Sequence, residues 1–365
     1  MGLCEHTTIR AYTLSDTENH IRDADLLARL EQARGGVAFK AMQRRLADEQ
    51  RERDTLAARR SSMGRNQLRR DQTRELIESD PTGPENLQHI HSVLALCGLP
   101  YKRPPEDTRH FVRNYGRNSL ALTPGMLKNP STGKMEAQGL PYGPKARLLL
   151  LHLCSEAIRQ KSPTIEIADS LSAFIRDLGF PVAGGPRGPL NQFKEQLNRL
   201  AACHMQIGMW DPATNAARTI NAAPIDSFDV WLPQDPNQKV LWASTLTFDD
   251  RFYKSLMNHA LPVDMRAAKA FAGSARKLDL LFWLGYRMHS LTRPYLFTWD
   301  VLHGQFGQGT GNIRSFRQEL KADLAHLLEV FPKLPLTLDE KGMRLTPVSD
   351  PARLLVPPKK RIGKR

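Results

Sequence analysis

Residues 307–321, Gly307-Gln308-Gly309-Thr310-Gly311-Asn312-Ile313-Arg314-Ser315-Phe316-Arg317-Gln318-Glu319-Leu320-Lys321, run from a glycine-rich turn into the most regular apolar stripe of the chain. Ile313, Phe316, Leu320, Leu324, Leu327 and Leu328 recur at helical spacing and predict a helix over Asn312–Phe331 with one buried face. The remaining faces of its first turns carry Arg314, Ser315, Arg317, Gln318 and Lys321, with Asn312 at the start. Such side chains reach base edges and phosphates. Three glycines in Gly307–Gly311 free the backbone to redirect sharply. Upstream stand a helix, Ala275–Leu291, with Leu278, Leu281, Phe282 and Gly285 on one face, a short apolar piece, Tyr295–Trp299, and a brief helix, Asp300–Phe306. Downstream, Leu334–Leu338, the turn Asp339–Gly342 and Met343–Val348 read as a hairpin. In that order the elements spell a winged helix-turn-helix with a basic reading helix. The competing reading is a solvated basic face that serves solubility alone.

The same order occurs earlier. Lys145–Arg159 is an apolar helix with Leu148, Leu149, Leu151, Leu153 and Ile158, followed by a strand, Thr164–Ile167. Asp169 or Ser170 can cap a small helix, Leu171–Leu178. After the turn Gly179–Pro189 comes a helix, Leu190–Cys203, whose stripe is Leu190, Phe193, Leu197 and Leu200. Its outer faces offer Asn191, Gln192, Lys194, Gln196 and Arg199, and Arg187 precedes it. Strands Met205–Trp210 and Arg218–Leu232 around the turn Asp211–Ala217 stand as the first wing. Val240–Thr247 alternates like a strand, and Asp249–His259 reads as a helix capped by Asp249; these start the second module or link the two. The expected fold is α+β, mainly helical, with tandem winged helix-turn-helix domains behind a charged helical arm. The expected divisions are a charged arm at 1–80, helical or partly disordered, domains at 81–235 and 236–347, and a disordered basic tail at 348–365.

With 365 residues the chain is long enough for two or three domains. Its formal net charge of +14 favours a polyanionic partner, because neutralising phosphates releases condensed counterions. Part of that charge lies in Asp25–Ser79, where arginines from Arg44 to Arg74 outweigh a thin stripe of Leu26, Leu27, Leu30, Leu46 and Leu56. This arm fits a DNA-lying segment, a partner helix or a solvated arm. No apolar run is long enough to span a bilayer and no secretory signal opens the chain, which points to the cytoplasm rather than a membrane. Cys4, Cys97, Cys154 and Cys203 form no Cys-x-x-Cys pair, so zinc ribbons are unsupported and reduced, structural thiols are expected.

Enzyme signatures are missing. No Gly-x-x-x-x-Gly-Lys-Ser/Thr loop is present to cradle a nucleotide phosphate, and Gly184–Gly188 lacks the lysine. His89-Ile90-His91 matches the His-apolar-His pattern of metal-dependent nucleases that nick origins. The segment Glu85–Cys97 reads as helix through Leu87, Ile90, Leu94 and Cys97, however, and histidines two apart on a helix diverge. The expectation is no catalysis, no metal and no cofactor. A nicking nuclease using His89 and His91 and a protein-interaction scaffold stand as rivals.

Several blocks resemble one family. Gly139-Leu140-Pro141-Tyr142-Gly143-Pro144-Lys145-Ala146-Arg147, Leu96-Cys97-Gly98-Leu99-Pro100-Tyr101, Val240-Leu241-Trp242-Ala243-Ser244-Thr245 and His259-Ala260-Leu261-Pro262-Val263-Asp264 are similar to plasmid-encoded RepA replication proteins, as are Leu280–Leu291 and His303-Gly304-Gln305-Phe306-Gly307. The resemblance implies a bacterial plasmid replication initiator. Such a protein binds repeated sites in duplex DNA at the origin, helps melt it and recruits host replication proteins, as monomer or homodimer. It supplies no catalytic residue. A repressor using the same modules, including one acting on its own gene, is the nearest rival.

Overall fold

The structure is a computed structural model that describes residues 21, 23–35, 39–62, 86–129, 132–167, 171, 174–175, 178, 180, 189–211, 214–228 and 245–349. The chain divides into two compact units, Met1–Asp71 and Gln72–Arg365. The basic tail, the turn 181–188 with Arg187, and the arginines from Arg65 to Arg74 lie outside the described residues.

In the first unit, α1 (Ala24–Gln32) and α2 (Phe39–Ser62) form a helical pair. Leu26, Leu30, Leu46 and Ala47 are buried between them with Ile21, against Phe39 and Met42. Leu27, counted in the expected stripe, is 40% exposed. Some of the basic residues are spent on the pair itself: Arg29 reaches Glu49 at 3.0 Å, and Arg53 bonds both Asp23 and Glu49 at 2.8 Å.

The second unit is mixed rather than mainly helical. It begins with β1 (Leu87–His91) and α3 (Ser92–Cys97), then β2 (Phe111–Tyr115), β3 (Asn118–Thr123), β4 (Met126–Lys128) and β5 (Met135–Ala137). Helix α4 (Gly143–Gln160), β6 (Thr164–Glu166), α5 (Pro189–Ala202), β7 (His204–Asp211), β8 (Ala216–Ala222), β9 (Ile225–Phe228) and β10 (Thr245–Phe248) follow. Then come α6 (Asp250–His259), β11 (Ala260–Asp264), α7 (Met265–Ala270) and α8 (Ala275–Ser290). The last elements are β12 (Tyr295–Thr298), α9 (Trp299–Phe306), α10 (Ile313–Val330), β13 (Leu336–Leu338) and β14 (Gly342–Leu345).

The expected helix Glu85–Cys97 is corrected: its first half is strand. β1 pairs antiparallel with β11, Ile90 opposite Leu261, and only the second half coils into α3. The apolar pattern is real, with Ile90, Leu94 and Cys97 buried, but its first half is satisfied by a sheet partner far along the chain.

The repeat is visible in strand order. After α4, β6 pairs with β10, whose other edge pairs with β9; after α8, β12 pairs with β14, whose other edge pairs with β13. Each sheet is therefore antiparallel, with its last strand in the middle. The expected first hairpin forms, but outside the β6–β10–β9 sheet. β7 pairs with β8 on one edge and with β3 on the other, and β3 pairs with β2, in a separate four-stranded sheet. The strand expected to link the modules instead closes the first sheet as β10. A division at 235/236 thus marks where the sequence pattern restarts, while the packing crosses it. Between β6 and α5 the expected small helix lies mostly outside the described residues; Leu171, Phe174, Ile175 and Leu178 within it are buried.

One apolar core serves the whole second unit, from Ile90 to Leu345. At its centre α4 and α8 are joined by a buried ion pair, Arg147 Nε to Asp279 Oδ1 at 2.6 Å, with side-chain exposures of 2% and 8%. Cys97, Cys154 and Cys203 are free and buried in the same core, as expected of structural thiols; Cys4 lies outside the described residues. No helix among the described residues is long and apolar enough to cross a membrane.

Candidate nucleic-acid interface

Helix α10 is built by local signals. The side chain of Asn312 caps it by accepting from Arg314 N–H at 2.8 Å. The cap satisfies one of the donors that a helix start leaves unpaired. The turn before it depends on glycine twice. Gly309 adopts φ +78°, and a Cβ at Gly307 would fall 2.3 Å from the His303 ring and 2.5 Å from its carbonyl. His303 in turn holds the turn by bonding Thr310 O at 2.8 Å and packs edge-on against Phe316 with centroids 5.0 Å apart.

The stripe Phe316, Leu320, Leu324, Leu327 and Val330 is buried, as its spacing predicts. On a second face lie the carboxylates. Arg276 of α8 bonds Asp323 at 2.6 Å and Glu319 at 2.7 Å, and Lys277 reaches Asp323 at 3.7 Å. Glu319 and Asp323 are thereby neutralised where α10 meets α8. The third face is different. Arg314, Ser315, Gln318 and Lys321 are exposed, and the exposed neighbours Ala322 and Ala325 are small. Spacings of three, four and seven put Arg314, Arg317, Gln318 and Lys321 side by side. Among the described residues no carboxylate pairs with Arg314, Arg317 or Lys321. Arg317 and Lys321 instead lie over the Trp299 ring, 5.4 and 5.7 Å from its centroid. Trp299 carried no signal in the sequence as a site residue.

The counterpart helix, α5, uses its polar residues otherwise. Arg199 is 8% exposed; it donates to Leu140 O at 3.0 Å, pairs with Glu195 at 2.9 Å and covers the Tyr142 ring. It is therefore corrected from a phosphate contact to a support for the loop ahead of α4. Gln196 is likewise buried and accepts from Tyr142 N–H at 2.8 Å. Spacing alone put both on the outer face; the loop 139–142 packs over that face and covers them. Gln192 is exposed, while Asn191 and Lys194 are half-buried. Burial holds the Lys194 ammonium below its ordinary pKa of 10.5. The two helices thus share a place in the strand order without presenting equal surfaces.

His89 and His91 lie on β1, not on a helix, so their expected divergence does not hold. The buried His91 instead caps α3, its Nδ1 accepting from Val93 N–H at 3.1 Å while Nε2 contacts Ser255 Oγ at 3.0 Å. Both ring nitrogens are thereby occupied. Among the described residues no group of three His, Cys, Asp or Glu is placed to hold a metal ion. Burial, and secondarily His259, lower the His91 pKa from 6.5 to about 4. Below pH 6.5 the unfolded chain then binds a proton that the folded chain refuses. Stability is expected to fall as pH drops from 6.5 towards 4, read as a declining urea midpoint. His91→Asn, which keeps a capping acceptor, is expected to flatten that decline.

A mixed α/β protein with a cationic helix face that has no carboxylate partner among the described residues is the class that these features define. Residues 140–301 match the family model described as plasmid encoded RepA protein. The matched span runs from the loop before α4 into α9, and so leaves α10 outside it. Among solved structures, the crystal structure of domains 2 and 3 of RctB aligns with a TM-score of 0.43 and 10% sequence identity, covering 71% of this chain and 99% of that one. No curated protein matches the chain.

Proposed function

We propose that the chain is a plasmid replication initiator that acts by binding rather than by catalysis. It recognises repeated sites in duplex origin DNA through two winged helix-turn-helix modules and recruits host replication proteins. The carrying observation is the face of α10, where Arg314, Arg317 and Lys321 stand without carboxylate partners among the described residues while Glu319 and Asp323 are paired on the α8 side. Cations left unpaired on a face lined with alanine suit an approaching phosphate backbone and base edges. The strand order of both small sheets supports the winged reading, since each places its final strand beside the strand that follows the long helix. In the first module, Asn191, Gln192 and Lys194 of α5 are the proposed DNA contacts. The family match over residues 140–301 supports the plasmid role.

The test is selection of a random duplex pool by the full-length protein at physiological salt, followed by sequencing. One enriched, repeated motif is the expected result; recovery at background would reduce the +14 charge to nonspecific attraction. Replication of a plasmid carrying only this gene and its flanking repeats separates an initiator from a repressor.

A further inference from the structure

Trp299 opens α9 and is 3% exposed, yet two parts of the second module meet on it. Its backbone N–H donates to Lys341 O at 3.2 Å and its indole Nε1–H to Glu340 O at 3.0 Å. Two carbonyls of the β13–β14 turn therefore end on this one residue. The turn is otherwise held by Asp339, whose carboxylate accepts from Lys341 N–H at 2.8 Å and Gly342 N–H at 2.9 Å. The face of the same indole lies under the Arg317 guanidinium and the Lys321 ammonium. Arg317 Nε is buried there without a hydrogen-bond partner among the described residues.

We propose that Trp299 is a positioning residue that fixes the β13–β14 turn and the cationic face of α10 as one DNA-reading unit; this rests on the reading of α10 given above. A guanidinium lying over a ring gains a cation–π contact, and with Nε buried the terminal Nη N–H groups are the donors left for an acceptor pair such as the O6/N7 edge of guanine or a phosphate. The ring thus selects, before DNA arrives, the guanidinium orientation that binding needs, and the indole N–H holds the hairpin turn beside it. Specificity follows from this preorganisation, whereas bulk attraction depends only on the number of charges, which Trp299 does not change.

The full-length protein is tested on its selected site and on a scrambled duplex across a salt series. Trp299→Leu removes ring and donor together and is expected to weaken the selected site about 3- to 30-fold. Affinity for the scrambled duplex and the salt slope should stay as in the parent. Trp299→Phe keeps a weaker ring face and a similar volume. Combined with Arg317→Ala it should cost clearly less than it does alone, because part of its effect passes through the Arg317 contact. Additive losses in that cycle, or equal losses on both duplexes, would overturn the proposal and leave Trp299 as core packing. Should Trp299→Leu fail to fold by its unfolding curve, the Trp299→Phe cycle decides. Failure of the DNA-reading proposal itself shows separately, as Arg314→Ala and Arg317→Ala proteins that bind the selected site as well as the parent.

Discussion

Asp279→Ala is expected to lower the unfolding free energy by about 3–5 kcal/mol, the usual cost of leaving one partner of a buried ion pair alone. The environment of Arg147 explains the size. Its Nε and Nη2 donate to the two carboxylate oxygens of Asp279 at 2.6 and 2.8 Å. Its other donors go to Pro100 O at 3.1 Å, Gly143 O at 2.9 Å and Leu99 O at 2.6 Å, and the Tyr101 ring covers it at 5.2 Å. A guanidinium cannot shed its proton to escape the low dielectric, so the orphaned charge must draw in water or open the packing. Because α4 begins the first repeat and α8 the second, the damage reaches both. Arg147→Met with Asp279→Leu removes both charges and is expected to cost less than Asp279→Ala, though more than nothing, since three carbonyls lose their donor. Urea unfolding of the three proteins measures the comparison. A loss below about 1 kcal/mol for Asp279→Ala would mean that water reaches the pair, as at an exposed bridge.

Arg314→Ala combined with Arg317→Ala is expected to weaken the selected DNA site by about 2–6 kcal/mol, at least roughly 30-fold, if each arginine reads a base at the usual 1–3 kcal/mol. Stability should change little at Arg314, which is exposed, so a binding loss there cannot be blamed on unfolding. Lys321→Ala provides the contrast. As a phosphate contact it should weaken all duplexes alike and reduce the salt slope by about 1. Titrations of selected and scrambled duplexes separate these outcomes. Equal weakening of both by the arginine pair would show a face that attracts DNA without reading it.

The α10 region was legible because its signals are local. A stripe at helical spacing and a glycine turn each act within one or two turns of backbone, and the structure has both where the spacing puts them. Which outer residues stay outside was legible only in part. Arg314, Gln318 and Lys321 are exposed as expected, but on α5 the same reasoning placed Arg199 outside. The loop before α4 covers it there, and nothing within α5 announces that loop. The segment 85–97 failed for a related reason. Leu87, Ile90, Leu94 and Cys97 satisfy a helical period, and only the pairing of Ile90 with Leu261 makes the first half a strand. β6 and β10 show the same limit: Thr164 and Thr247 bond across the sheet at 3.0 Å although 83 residues separate them. Alternation marks a strand and a buried face but carries no address for its partner.

The sequence by itself determined that this is a basic chain in which a long helix followed by a strand occurs twice, at α4–β6 and α8–β12, and which stripe of each long helix is buried, because periodicity is a property of neighbouring residues. Tertiary structure alone decided which strand closes the first sheet, that Arg147 and Asp279 meet, that Glu319 and Asp323 of α10 pair with α8, and that Trp299 lies beneath Arg317 and Lys321. Those outcomes depend on packing between elements distant in the chain, where burial must be matched by partners that no local pattern names.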